Sequence, residues 1–369
     1  MRLRWVWVGG FFLMAAVIAG SQATGRKSGP AHPVDFDSEQ AGRTARRRLR
    51  LTDSARSAAL RQALLWRPTT ATNGADTPAS SIVCRFKPDV IGGTTPKFEC
   101  TTADGRTIKV KYRGAEPHGE VAATRLMRAL GFPADDVRFV ERVRCHGCPT
   151  FPFLTMRLLG FVKATDWYGH TVDYDQYTDI AWAAVEHKHA GTEIETADGR
   201  GWAWYELDGV DGPRAHVDAL RLTAIFLAHW DNKSENQRLV CLDAGPSLPT
   251  RARCGESLAI LQDLGATFGP RKVDLAAWRR TRIWMDRASC LVSMEDMPHR
   301  GSTFRPVRIS EEGRRFMAQR LGALTRAEIR AIFEGARFPQ RDGRDVDSWL
   351  EVFEDKVREI SAGQPCPRP

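Results

Sequence analysis

Polar and apolar residues alternate as in strands through one part of the chain. Ile82-Val83-Cys84-Arg85-Phe86 and Lys97-Phe98-Glu99-Cys100 alternate as half-buried strands do, and Thr107-Ile108-Lys109-Val110-Lys111-Tyr112 repeats the pattern. Ile91-Gly92-Gly93-Thr94-Thr95 falls in the loop between the first two. The period then lengthens. Val121, Ala122, Leu126, Ala129 and Leu130 are spaced for one helical face and predict a helix over 118–131 that stops at Gly131. Val137-Arg138-Phe139-Val140 and Phe153-Leu154-Thr155-Met156 predict two further strands. Residues 82–160 therefore read as a strand-rich lobe with one helix.

Beyond about residue 165 the pattern turns mainly helical. An amphipathic helix over 217–230 delivers Asp231 at its end, and further helices are predicted over 274–292, 310–321, 325–336 and 347–360. Thr325 with Glu328 matches a capping box. Upstream of the strands one helix is predicted over 52–66, with Leu60, Leu64 and Leu65 on one face, and 69–81 has the composition of a linker. The chain shows no internal repeat.

Composition adds a setting. The 369 residues suit one large two-lobed domain or two smaller ones with ample core. Arg2 and Arg4, the apolar stretch 5–18 and Gly20-Ser21-Gln22-Ala23 form a signal-peptide pattern over 1–23, with an uncleaved membrane anchor as the alternative. Such a chain is secreted or periplasmic. Loss of this leader lowers the formal net charge from +9 to about +7. Arg43, Arg46, Arg47, Arg48 and Arg50 make 24–81 a basic, flexible linker with one helix. No aromatic residue interleaves with that run, so nucleic acid is not an expected partner.

Eight cysteines in an exported chain imply disulfides. Cys84 and Cys100 flank one predicted hairpin, and Cys241 and Cys254 flank a second loop. Cys145-His146-Gly147-Cys148 admits a local disulfide, a redox pair or half a zinc site, although no second C-x-x-C occurs. The sequence does not decide whether Cys290 and Cys366 pair.

The chemistry concentrates in His229-Trp230-Asp231-Asn232-Lys233-Ser234-Glu235-Asn236, which reads H-x-D-x-K-x-x-N, and in Asp263-Leu264-Gly265, which begins 27 residues after Asn236. Phosphoryl transfer needs a positioned hydroxyl, cations on the phosphates and a metal held by hard oxygen ligands. Asp231 suits acceptance of the hydroxyl proton, and Lys233 suits contact with the moving phosphate. Asn236 and Asp263 suit Mg²⁺ or Mn²⁺. Upstream, Lys111 on its strand suits the α- and β-phosphates, with Lys109 of the same parity as the fallback. Glu120 suits a pairing role on the next helix, and Gly92 and Gly93 let backbone N–H groups approach phosphates.

In this order the residues resemble the protein-kinase superfamily. H-x-D-x-K-x-x-N is similar to its catalytic loop, with Trp230 where an arginine is usual, and Asp263-Leu264-Gly265 is similar to its D-F-G turn. The Lys111 strand followed closely by the Glu120 helix resembles the atypical branch: HipA-like kinases, phosphatidylinositol kinases and the secreted Golgi casein kinases. The resemblance covers about 82–340. It implies an α+β, two-lobed kinase-like fold with a strand-rich N-lobe over 82–160, a mainly helical C-lobe over 161–360 and a tail over 361–369. It also implies Lys111 and Glu120 as the phosphate-anchoring ion pair, Asp231 as the base, and Asn236 and Asp263 as metal ligands.

Departures point away from an ordinary protein kinase. No full G-x-G-x-x-G precedes Lys111, Lys111 and Glu120 are nine residues apart, and no A-P-E closes an activation segment. The expected activity is transfer of the terminal phosphoryl group of ATP or another nucleotide to a hydroxyl on a protein or small molecule. The competing expectation is a catalytically silent kinase-fold binding protein at the cell surface or in the periplasm. Membrane contact is expected only through an uncleaved N-terminal segment. Glu186-His187-Lys188-His189, on an expected helix, reads as a solvated polar face, and Asp173, Asp175 and Asp179 read as a surface loop. No G-x-S-x-G or H-E-x-x-H occurs, so the common hydrolase and zinc-protease signatures are absent.

Overall fold

A computed structural model describes residues 48–68, 80–197, 199, 201–243, 254–298 and 301–367. The expected signal peptide, Arg43, Arg46, Arg47 and nearly all of the 69–81 linker lie outside these residues. The fold is mixed α/β. In chain order β1 (Arg48–Arg50) and α1 (Asp53–Arg61) precede β2 (Ile82–Lys87), β3 (Lys97–Thr102) and β4 (Thr107–Lys111). Next come α2 (Glu116–Leu130), β5 (Asp136–His146), α3 (Pro152–Phe161), α4 (Thr165–Thr171) and β6 (Tyr177–His187). Then follow β7 (Thr192–Glu195), a 3-10 turn (Trp204–Gly209), α5 (Arg214–Phe226), β8 (Gln237–Cys241), β9 (Ser257–Leu261) and α6 (Leu275–Arg280). The ribbon of β10 (Leu291–Val292) and β11 (Val307–Arg308) leads to α7 (Glu311–Gly322), α8 (Arg326–Gly335), α9 (Phe338–Asp342) and α10 (Val346–Ser361).

The chain divides into two interleaved compact units. Among described residues the first holds 80–113 and 140–185, and the second holds the rest. The first is built on a small closed barrel in the order β2-β3-β4-β6-β5. Alternation sends Cys84, Phe86, Phe98, Cys100, Ile108 and Val110 into its core, and the Cys84–Cys100 disulfide joins β2 to β3 there. The strand expected at Phe153-Leu154-Thr155-Met156 is instead part of helix α3. Pro152 starts that helix, and Met156 and Leu159 enter the barrel core one helical turn apart. A four-residue apolar run is too short for its period to decide between strand and helix.

The second unit carries the sheet β1-β7-β8-β9, in which β1 runs parallel to β7 and the other pairs are antiparallel. Beyond 165 helix outweighs strand, but the pattern did not predict β6, β7, β8 and β9, which all lie in that region. All five residues of β8 and of β9 are buried, so neither strand shows polar–apolar alternation. Glu186 and His187 end β6 rather than lying on a helix. Beside them, Lys188 donates to Asp135 at 3.0 Å and pairs with Glu186. Helix α1 stops at Arg61, and Leu64 bridges to Leu258 at the sheet edge.

The helix expected over 274–292 ends at Arg280. Lys356 captures the Thr281 carbonyl at 2.6 Å, and the Glu359 carboxylate captures the Ile283 N–H at 3.0 Å, which draws the chain out of helical geometry. Helix α5 is buried from Val217 to Phe226. It packs near an aromatic cluster of Phe226, Phe268, Trp278, Phe333, Phe338, Trp349 and Phe353. All eight cysteines are paired, as Cys84–Cys100, Cys145–Cys148, Cys241–Cys254 and Cys290–Cys366. The local Cys145–Cys148 bond leaves no thiolate there for zinc. No described helix is long and apolar enough to cross a membrane.

Candidate functional site

Helix α5 ends at Phe226, earlier than the sequence pattern suggests, and Ala228 turns the chain through a left-handed conformation (φ 51°). His229 is fully buried, and its N–H reaches back to Ala224 O at 2.9 Å. Asn232, also fully buried, is the staple of the loop. Its amide donates to His229 O at 3.1 Å, its side-chain oxygen accepts from Ser302, and its backbone carbonyl accepts from the Thr303 hydroxyl at 3.1 Å. Neither Asn232 nor its partners stood out in the sequence, because no motif spacing marks a residue that only holds a loop. Asp231 and Lys233, on either side of Asn232, are left partly exposed, with Lys233 Nζ 3.7 Å from Asp231 Oδ1.

A short 3-10 turn, Ser234–Asn236, then feeds β8. The Asn236 amide donates to Asp231 O at 2.6 Å, which leaves its side-chain oxygen as the atom able to hold a cation. Pairing of β8 with β9 places Gln237 opposite Leu261, and the Gln262 N–H bonds Asn236 O at 3.0 Å. The same hairpin therefore sets the Asn236 end of one strand beside the Asp263 end of the other. The inserted loop and the Cys241–Cys254 disulfide lie at the opposite end, where Cys241 faces Ser257.

Asp263 is left-handed (φ 54°), a region that aspartate enters more readily than most residues and that recurs at functional turns. Leu264 is fully buried beneath it. Gly265 is required by close approach, since a Cβ there would overlap Glu116 Cγ and lie 3.0 Å from Glu116 O. Gly119 is the matching position on α2, where a Cβ would lie 2.9 Å from Gly265 O. The first turns of α2 thus rest on the D-L-G turn, and Glu120, the next residue, is buried at 1% exposure. Beyond the turn, Phe268 N–H bonds Leu227 O at 2.7 Å and Trp230 N–H bonds Ala266 O at 3.3 Å, which pins 263–268 to the Asp231 loop. Lys272 closes this face, 2.7 Å from Glu116 and 5.7 Å from the Trp230 ring centroid.

Asp231, Lys233, Asn236, Asp263 and Glu120 all belong to the second unit. Lys111, Gly92 and Gly93 belong to the first. There Lys111 ends β4, buried at 1% exposure, and lies directly opposite Lys97 of β3. Gly93 is left-handed (φ 92°), whereas a Cβ at Gly92 would meet nothing within 4 Å. Cys241, Asp243 and Cys254 also converge, but their disulfide consumes both thiols.

No protein-family model matches the chain, and no curated protein matches its sequence. Among solved structures it is similar to the Helicobacter pylori proinflammatory kinase CtkA, at 10% identity and a TM-score of 0.40 over 77% of this chain and 95% of that one. A superposition of that quality leaves the assignment to the residues themselves.

Proposed function

We propose that the chain is an atypical kinase-like phosphotransferase, with 82–160 and 161–360 as its two lobes, that moves the terminal phosphoryl group of a nucleotide to a hydroxyl acceptor. One observation carries the reading. The β8–β9 register sets Asn236 beside the Gln262–Asp263 end of β9, while hydrogen bonds from Phe268 and Trp230 pin the same turn to the Asp231 loop. Asp231, Asn236 and Asp263 are thereby held around one turn.

Asp231 accepts the proton of the acceptor hydroxyl as its oxygen bonds to the terminal phosphorus. The bond from that phosphorus to the bridging oxygen breaks, and the nucleoside diphosphate leaves with the electron pair. Lys233, at 3.7 Å from Asp231, places positive charge beside the transferring group. Lys111 is the residue proposed for the α- and β-phosphates, with Gly92 and Gly93 offering backbone N–H groups to the chain of phosphates, and Glu120 is the acid proposed for the second unit. The donor set fits a hard cation, because Asn236 has spent its amide N–H on Asp231 O and Asp263 offers carboxylate oxygens. Mg²⁺ or Mn²⁺ bound by these two residues would neutralise phosphate charge. Four disulfides are compatible with an extracellular setting, and we read the protein as exported, with the donor nucleotide met there or during transit.

The test is transfer of label from γ-labelled ATP, with Mg²⁺ or Mn²⁺, to the chain itself or to added protein and small-molecule hydroxyls. Asp231→Asn should slow transfer roughly a hundred- to ten-thousand-fold while nucleotide still binds. Asp263→Ala should lose metal-dependent nucleotide binding. Nucleotide binding without transfer by the wild type would identify a silent kinase-fold binding protein. A wild type that transfers nothing and binds nucleotide no differently from Asp263→Ala sinks the proposal.

A further inference from the structure

Helix α3 of the first unit is apolar on the side it shows to solvent as well as on the side it buries. Met156 and Leu159 turn into the barrel core. Phe151, Leu154, Leu158 and Phe161 recur at intervals of three and four residues, so they share the opposite face. All four are exposed, Leu154 at 53% and Phe161 at 84%. Trp167 on α4 is exposed at 64%, and Val90 lies beside α3, 2.8 Å from where a Cβ of Gly160 would stand. A helix that is apolar all round is ordinarily buried, and large apolar side chains exposed together mark a contact surface.

The charges beside this face are mainly cationic. No Asp or Glu occurs between Glu141 and Asp166, whereas Arg157 lies on α3 and Lys163 just after it, both exposed. The Arg157 guanidinium carbon is 5.5 Å from the Phe153 ring centroid, and that of Arg113 is 5.9 Å from the Phe151 centroid. Each cation is thus carried over an aromatic ring, as when a long basic side chain covers apolar surface and keeps its head in water. Of the acids next to the patch in sequence, Asp89 faces Lys87 at 3.7 Å, which leaves Asp166 against Arg113, Arg157 and Lys163.

We infer that the exposed face of α3, with Trp167 of α4, docks on the surface of an anionic lipid bilayer. Its aromatic and leucine side chains enter the boundary between headgroups and acyl chains, and Arg113, Arg157 and Lys163 meet the lipid phosphates. Charge complementarity selects this occupant. A bilayer surface sets anionic groups directly above apolar chains, which matches apolar side chains flanked by cations, whereas a second copy of the chain would bring cations against cations. The contact is separate from the N-terminal segment, the one membrane contact the sequence led us to expect, and it stands independently of the phosphotransferase reading.

The experiment is cosedimentation of the full chain with vesicles of equimolar phosphatidylglycerol and phosphatidylcholine, and with vesicles of phosphatidylcholine alone. Backbone hydrogen exchange with and without vesicles then locates the contact. The wild type should bind the anionic vesicles on the order of tenfold more strongly than the neutral ones, less so in high salt, with exchange slowed over 151–167. Leu154→Ser combined with Phe161→Ser should weaken that binding on the order of tenfold or more. Arg157→Gln combined with Lys163→Gln should remove the preference for anionic vesicles, and Phe161→Trp, which keeps an interfacial ring, should retain binding. The substituted side chains are exposed, so each variant should melt with the wild type, which separates a lost contact from a lost fold. Vesicle binding that leaves exchange over 151–167 unchanged places the contact elsewhere, in the N-terminal segment for instance, and overturns the inference. Equal binding to both kinds of vesicle also overturns it. Self-association without lipid that the Leu154→Ser, Phe161→Ser variant abolishes would assign the face to a second copy instead. A wild type that binds neither vesicle leaves the face to a protein partner and equally overturns the inference.

Discussion

Gly265 is the residue on which the position of Asp263 depends. Its α-hydrogen faces the Glu116 side chain, and no larger group fits there without movement of α2 or of the turn. Gly265→Ala should destabilise the protein by about 1–3 kcal/mol, the usual range for forcing a methyl group into a packed contact. Denaturant unfolding measures that loss. Glu116→Ala in the same chain deletes the Cγ that the new methyl meets, so the double variant should recover part of the stability. It should not recover all of it, because Glu116 O remains 3.0 Å from the new Cβ and the Lys272–Glu116 ion pair is gone. Full additivity of the two losses would show that the contact does not set the turn.

At the scale of elements, α7 shows how a capped helix can fasten a distant segment. Ser310 accepts the Gly313 N–H at 3.1 Å, and Glu311 in the first turn accepts from Arg314, from Arg315 and from the Cys366 N–H at 2.8 Å. The Arg314 hydrogen bond is the main reason the Glu311 carboxyl is held down at about 2. A carboxylate with a depressed folded pKa stabilises the protein above the ordinary glutamate range and loses that contribution as pH falls towards 2. Stability against urea should therefore decline over that acid window, and Glu311→Gln should flatten the decline while lowering stability at neutral pH. An unchanged acid slope in the variant would assign the decline to other carboxylates.

The contrast between α7 and the β8–β9 hairpin shows what was legible in the sequence. Helices over 310–321, 325–336 and 347–360 were readable because one polar face and a capping residue survive in each, such as Thr325 with Glu328. Strands β8 and β9 were not, since burial on both faces erases alternation. The motif residues Asp231, Asn236 and Asp263 were readable from spacing, but the hairpin that joins them was not.

Over the whole molecule, the covalent framework follows the division into units. Cys84–Cys100 and Cys145–Cys148 lie within the first unit, and Cys241–Cys254 and Cys290–Cys366 within the second, so each unit carries two bonds and none joins them. Their expected effects differ with the length of chain each one closes. Constraint of the unfolded chain gives about 2 kcal/mol for a bond such as Cys145–Cys148, about 3 for Cys241–Cys254 and about 4.5 for Cys290–Cys366, whose partners are 76 residues apart. The last bond also encloses α7, α8, α9 and α10, with Cys366 held to Glu311 at one end and Cys290 next to β10 at the other. Replacing Cys290 and Cys366 together by serine should therefore lower unfolding stability more than the same change at Cys145 and Cys148. The order of losses, measured in denaturant under non-reducing conditions, is the informative readout. Equal losses would mean that native contacts, rather than chain closure, set the value of these bonds.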